Sequence, residues 1–72
     1  MSLLTHAMLM DRYGPRLSME QLAEVLGVHR GTIYNMISAG TCPVRTYLDV
    51  GKRWADCRDV AEHLDSCRLR AA

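Results

Sequence analysis

The stretch LAEVLGVHRGTIYNMISAG, Leu22 to Gly40, constrains the fold of this chain more than any other. Apolar residues recur at helical spacing on both sides of Gly27: Leu22, Val25 and Leu26 before it, then Ile33, Met36 and Ile37 after it. Glycine adopts a left-handed backbone at little cost, so Gly27 predicts the end of the first helix and Gly40 the end of the second. Ala23 is small enough for another helix to cross closely, and Val28 sits just past the bend. The spacing predicts helices from Ser18 and from about His29 to Ala39. Ser18 and Gln21 stand three apart and are read as a capping box.

Two helices joined by a short glycine turn form the helix-turn-helix pattern. The flanks extend it. Leu3, Leu4, Ala7, Met8 and Met10 predict a helix over residues 3–12, closed by Tyr13-Gly14-Pro15. From Pro43, Val44, Thr46 and Leu48 alternate with Arg45 and Tyr47, which predicts a strand. Asp49-Val50-Gly51 reads as a turn and Lys52 to Ala55 as the returning strand. Asp56 is placed as the cap of a last helix, 57–67, whose apolar face is Cys57, Val60, Leu64 and Cys67. The tail from Arg68 is expected to fray. The fold class expected is mainly α with a small β-hairpin, a winged helix-turn-helix in one domain.

At 72 residues the chain forms one small domain. A domain of this size buries about 60% of the surface its unfolded chain exposes. Half of the residues are hydrophobic (49%), which excludes a disordered chain. No run of about 18 apolar residues is present, so no membrane span is expected. The first residues lack the basic region of a signal peptide, and a cytoplasmic, nucleoid-associated location follows. Three cysteines, Cys42, Cys57 and Cys67, are read as reduced and partly buried thiols.

The net charge of +1 hides an asymmetry. Between His29 and Arg53 stand Arg30, Arg45, Lys52 and Arg53 against Asp49 alone, whereas Glu20, Glu24, Asp56, Asp59, Glu62 and Asp65 flank that segment. The second helix opens on His29, Arg30, Gly31 and Thr32, with no carboxylate in its first turns. A helix N-terminus enters the major groove of DNA, where acids would meet phosphate repulsion. Arg30 can fork onto guanine and Asn35 can pair with adenine through two bonds. Tyr34 suits a phosphate or a thymine methyl, and Gly31 permits close approach. His29 is read as a phosphate contact or as the end of the turn. The competing reading of these residues is a solvated helix face.

The blocks LSMEQLAEVLGVHRGTIYNMISAG and CPVRTYLDVGKRWADCRDVAEHL together resemble the small excisionase and AlpA-like regulators with a MerR-type winged helix-turn-helix. The likeness spans Leu17 to Leu64. It implies binding to double-stranded DNA, with the wing residues Lys52, Arg53 and, at the wing base, Arg45 gripping the adjacent backbone or entering the minor groove. It also implies cooperative assembly on neighbouring sites, DNA bending and an integrase partner, or alternatively transcriptional regulation of phage or prophage genes. Serine is frequent in that family where His29 stands here, and histidine caps less well.

Several residues carry two readings. Trp54 is placed in the core in preference to stacking on a base. His63 and Cys67 lie four apart, with Cys57 one stretch back, but tight metal-ligand pairs are absent, so packed thiols are preferred to zinc. No cofactor is expected. A Cys–His enzyme is disfavoured because so short a chain cannot enclose a substrate cleft. A protein-interaction adaptor or anti-repressor using the same fold without DNA is the third alternative, suggested by the apolar segment Leu3 to Met10.

Overall fold

In a computed structural model, which describes residues 3–71, the chain orders as α1 (Leu3–Tyr13), β1 (Arg16–Ser18), α2 (Met19–Leu26), α3 (Arg30–Ala39), β2 (Thr46–Asp49), β3 (Lys52–Asp56) and α4 (Cys57–Leu69). The architecture is a winged helix-turn-helix. Among the described residues no helix is long and apolar enough to cross a membrane.

Local chemistry sets most boundaries. The Ser18 hydroxyl accepts from the Gln21 amide at 3.2 Å while the Gln21 side chain accepts from the Ser18 amide at 2.9 Å, so the capping box closes both ways. At the far end of α2, Gly27 is left-handed (φ 73°) and the Val28 amide donates back to Ala23 at 3.0 Å. That bend sends α3 across α2. Asp56 caps α4 by accepting from the Arg58 amide at 2.8 Å. The tail is helical further than expected, through Leu69; residue 72 lies outside the described residues, as do residues 1 and 2.

Two differences from the sequence reading concern the sheet. A third strand, β1, occupies the stretch read as a linker and cap, and the sheet order is β1-β3-β2 among the described residues. β1 runs antiparallel to β3, with Leu17 opposite Ala55 and Ser18 opposite Trp54. The hairpin is also shorter at its start: Pro43 to Arg45 is loop, and β2 begins at Thr46. Asp49 faces Lys52 across a two-residue turn in which both Val50 (φ 52°) and Gly51 (φ 73°) are left-handed. Such a turn matches the twist of the flanking strands and favours Asn-Gly. A β-branched residue held there carries about 1–3 kcal/mol of backbone strain.

The core collects one to three residues from each helix and one each from β1, β3 and the loop before β2: Leu9, Leu17, Met19, Leu22, Ala23, Ile33, Val44, Ala55, Cys57, Val60 and Ala61. The inward set of α3 is Ile33, fully buried, with Met36 and Ile37 packed against the core. α1 lies along α4, where the Thr5 hydroxyl donates to Asp65 at 2.9 Å. On α4, Cys57 and Val60 are buried and Leu64 is partly so, but Cys67 is exposed, which corrects its assignment to the apolar face. Trp54 is likewise not in the core. It stands half-buried on the outer face of the sheet, where its indole N–H donates to the Asp49 carbonyl at 3.0 Å. The Arg16 guanidinium lies 4.0 Å from the ring centroid and donates to Asp49 at 2.6 Å. Strand alternation sets this position, because the next residue, Ala55, is fully buried and Trp54 must face the other side of the sheet.

Candidate nucleic-acid interface

The opening of α3 is exposed along its outer side. His29, Arg30, Gly31, Thr32, Tyr34 and Asn35 all face solvent, while Ile33 anchors the helix from behind. His29 precedes the helix as its N-cap in an extended conformation and makes no side-chain capping bond, so α3 starts one residue later than the spacing suggested. An imidazole lacks the short acceptor that reaches back to the first free amides. The Thr32 amide is instead taken up by the His29 carbonyl at 3.0 Å, at the end of the helix where its dipole is positive.

Pairing in the hairpin decides which basic groups join this edge. Side chains alternate along β3, so Arg53 shares a face with the fully buried Ala55 and points toward the helices. Leu48 stands opposite Arg53, and Thr46 accepts from the Arg53 guanidinium at 3.0 Å. A groove of about 620 Å³ results, lined by Arg30 and Tyr34 of α3, Glu20 at the start of α2, and Leu48, Lys52 and Arg53 of the hairpin. Its walls thus combine the first turns of α3 with the wing.

Arg45 is not part of that groove. It precedes β2, reaches to 4.0 Å from Asp59 on α4, and lines a separate hollow of about 310 Å³ with Glu62, His63 and Ser66. The alternation of Val44 with Arg45 predicts a strand, but Pro43 to Arg45 is loop, and it turns Arg45 toward the acidic side of α4.

The structure also adds a group that the sequence reading left out of the edge. Glu20, ten residues before Arg30, forms an ion pair with the Arg30 guanidinium. The first turns of α3 contain no acid of their own, yet the turn at Gly27 brings one from α2 against them. The partner is non-adjacent and belongs to another helix, so helical spacing within α3 gave no signal of it.

The remaining candidate chemistry is spread out. Cys67 and His63 approach to 3.5 Å on one exposed turn of α4. Cys57 does not join them; its thiol donates to the His6 carbonyl at 3.7 Å, and burial pushes that thiol above its ordinary range. Asp56 is held below the usual carboxylate range, first by its side-chain bonds with Arg58.

Comparison with curated proteins returns no match, and neither does comparison with solved structures. A family match does exist: the helix-turn-helix domain, over residues 16–55, which runs from the first residue of β1 to the buried Ala55 of β3 and so takes in both walls of the groove. That span is more than half of the chain, and the fold it describes is the one observed; the chain belongs to the helix-turn-helix domain family and is a small DNA-binding protein.

Proposed function

We propose that this protein is a small excisionase-type factor of the winged, MerR-like kind, which reads double-stranded DNA with α3 and clamps it with the hairpin. The observation that carries this reading is the groove in which Arg30, Tyr34, Lys52 and Arg53 meet. In this reading α3 enters the major groove with Arg30 directed at a guanine edge, Asn35 at an adenine and Thr32 and Tyr34 at neighbouring bases or phosphates. Gly31 and His29 lie at the point of closest backbone approach. Lys52 and Arg53 hold the adjacent phosphates, a contact that sets position and carries little sequence information. The position of Arg45 favours a second, more distant phosphate contact or a role against α4.

A domain with so few cations binds weakly alone, because each neutralised phosphate adds only about one unit to the salt slope. Copies on neighbouring sites, bending the DNA between them, offset that weakness. This is the assembly that an integrase partner needs for excision. The same surface serves a transcriptional regulator equally well, and the resemblance to AlpA-like proteins favours keeping that reading beside the first. In either role the protein binds and does not catalyse.

The test is a gel-shift titration over a range of salt. Arg30→Ala is expected to lose about 1–3 kcal/mol of discrimination at one base pair. Lys52→Ala is expected to weaken binding to all sequences and reduce the salt slope by about one. Absence of any shift at low salt refutes the reading in favour of an adaptor. An excision assay with an integrase separates the two cellular roles.

A further inference from the structure

The surface assigned to DNA leaves α1 unused. This helix precedes the matched residues 16–55, and none of its residues lines the groove that holds Arg30. Its inner side is fixed: Leu9 is buried, Tyr13 packs on the core, and the Thr5 hydroxyl donates to Asp65 of α4. Its outer side is apolar. Leu3 is 82% exposed, Leu4 70%, Met8 64% and Met10 42%, and Ala7 is exposed among them. No Asp, Glu, Lys or Arg stands between Leu3 and Met10. A helix that served only to cover the core would turn polar residues outward here.

The size of this face limits what can cover it. Burying a whole leucine or methionine side chain removes roughly 60–120 Å² of apolar surface, so at these exposures each chain offers about 150–300 Å². Two such faces together bury about 300–600 Å², well under the roughly 1,200 Å² of a stable interface, which fits a weak pair. A protein without a matching apolar face gains little from this one, whereas a second copy of the chain brings the match with it.

The layout is also self-complementary. At 3.6 residues per turn, Ala7 sits near the middle of the exposed side, with Leu3 and Met10 on one flank and Leu4 and Met8 on the other. A two-fold axis at Ala7 sets Leu3 against Met10 of the second copy and Leu4 against its Met8, so each flank meets its own reverse. The small Ala7 at the crossing lets the two helices approach closely. Charge agrees with this direction. The first turn of α1 contains no acid, and the antiparallel arrangement brings Asp11 of the second copy beside that positive end of the helix.

We infer that α1 pairs with α1 of a second copy of this chain, antiparallel and two-fold symmetric about Ala7, in a weak dimer that forms without DNA. The pairing is independent of the DNA-reading proposal, because both grooves stay open. Where both hold, the two α3 edges are related by the same axis and read inverted half-sites.

The experiment is sedimentation equilibrium of the full chain, without DNA, between about 10 μM and about 1 mM. The wild-type mass is expected to rise from 8.1 kDa toward twice that value, with Kd about 0.1–1 mM. Leu4→Glu puts a carboxylate near Asp11 of the second copy and is expected to weaken association at least about tenfold. Leu4→Lys faces the same Asp11 with the opposite charge; its Kd is expected to stay within about threefold of wild type at low salt and to weaken as salt is raised. Leu4 is exposed, so both variants should melt within about 3 °C of wild type, which separates lost pairing from lost folding. A wild-type chain that stays at 8.1 kDa throughout overturns the pairing and leaves the face to a different protein. Unchanged association in Leu4→Glu overturns the role of α1 and places the contact elsewhere. Equal loss in both variants overturns the antiparallel register.

Discussion

Replacing Ile33 by alanine tests the orientation on which the reading edge depends. Ile33 is fully buried, and among the described residues of α3 it is the one side chain completely enclosed. The change deletes three carbons. At about 0.8 kcal/mol each, the transfer term is about 2.4 kcal/mol. The cavity left beneath α3 adds to this, for a total of about 3–4 kcal/mol, within the range measured for buried aliphatic truncations. A chain of 72 residues is stable by about 4–11 kcal/mol at ordinary values per residue, so the loss is a large fraction of the whole. Tm is expected to fall by roughly 12–30 °C in thermal melts followed by circular dichroism. Ile33→Val deletes one carbon and is expected to cost about 0.5–1.5 kcal/mol. A fall of less than about 5 °C for Ile33→Ala refutes the reasoning. It would mean that a different face of α3 is turned to the core, and that Arg30 and Tyr34 are not held outward by it.

Glu20→Gln removes the carboxylate from the groove and frees Arg30; affinity for random duplex is expected to rise and discrimination among sequences to narrow in competition gel shifts. Both side chains of that pair are more than half exposed, so stability should change by less than about 0.5 kcal/mol. Asp56 has a folded-state pKa below its unfolded value, so its stabilisation is present above about pH 4 and is lost as pH falls through the lower folded value. Acid titration of Asp56→Asn should therefore show a flatter decline in that window than the wild type, whereas Asp56→Ala should cost about 1 kcal/mol at neutral pH through the lost cap. Alkylation of the folded protein followed by mass spectrometry should mark the exposed Cys67 and spare the buried Cys57 until denaturant is added.

The features legible in the sequence were those whose partners lie within one turn of chain. Ser18 and Gln21, Gly27, Gly40 and Asp56 each act on amides or carbonyls a few residues away, and their residue types announce the interaction. The helix-turn-helix and the outward face of α3 followed from the same local spacing. What was not legible is carried by pairs distant in sequence. β1 is three residues long and exists because Arg16, Leu17 and Ser18 lie against Asp56, Ala55 and Trp54. Nothing in an Arg-Leu-Ser triplet signals a strand without that partner. Glu20 reaches Arg30 by way of the bend between two helices, and Arg45 turns away because the Pro43–Arg45 loop is not paired. The bulk of Trp54 suggests the core, but the pairing of β3 with both neighbours buries Ala55 and so turns Trp54 to the outer face.

The order of strands has a consequence for biosynthesis. β3 is the last strand to leave the ribosome, yet it lies between the other two and gives both their hydrogen bonds. Before Asp56 is made, Leu17 and Thr46 have no neighbour to register against, and the surface under α1 awaits α4. Until then the nascent chain holds α2 and α3 on an unfinished support. Completion comes as one late closing event, so a transcript truncated shortly before α4 yields no partial reader.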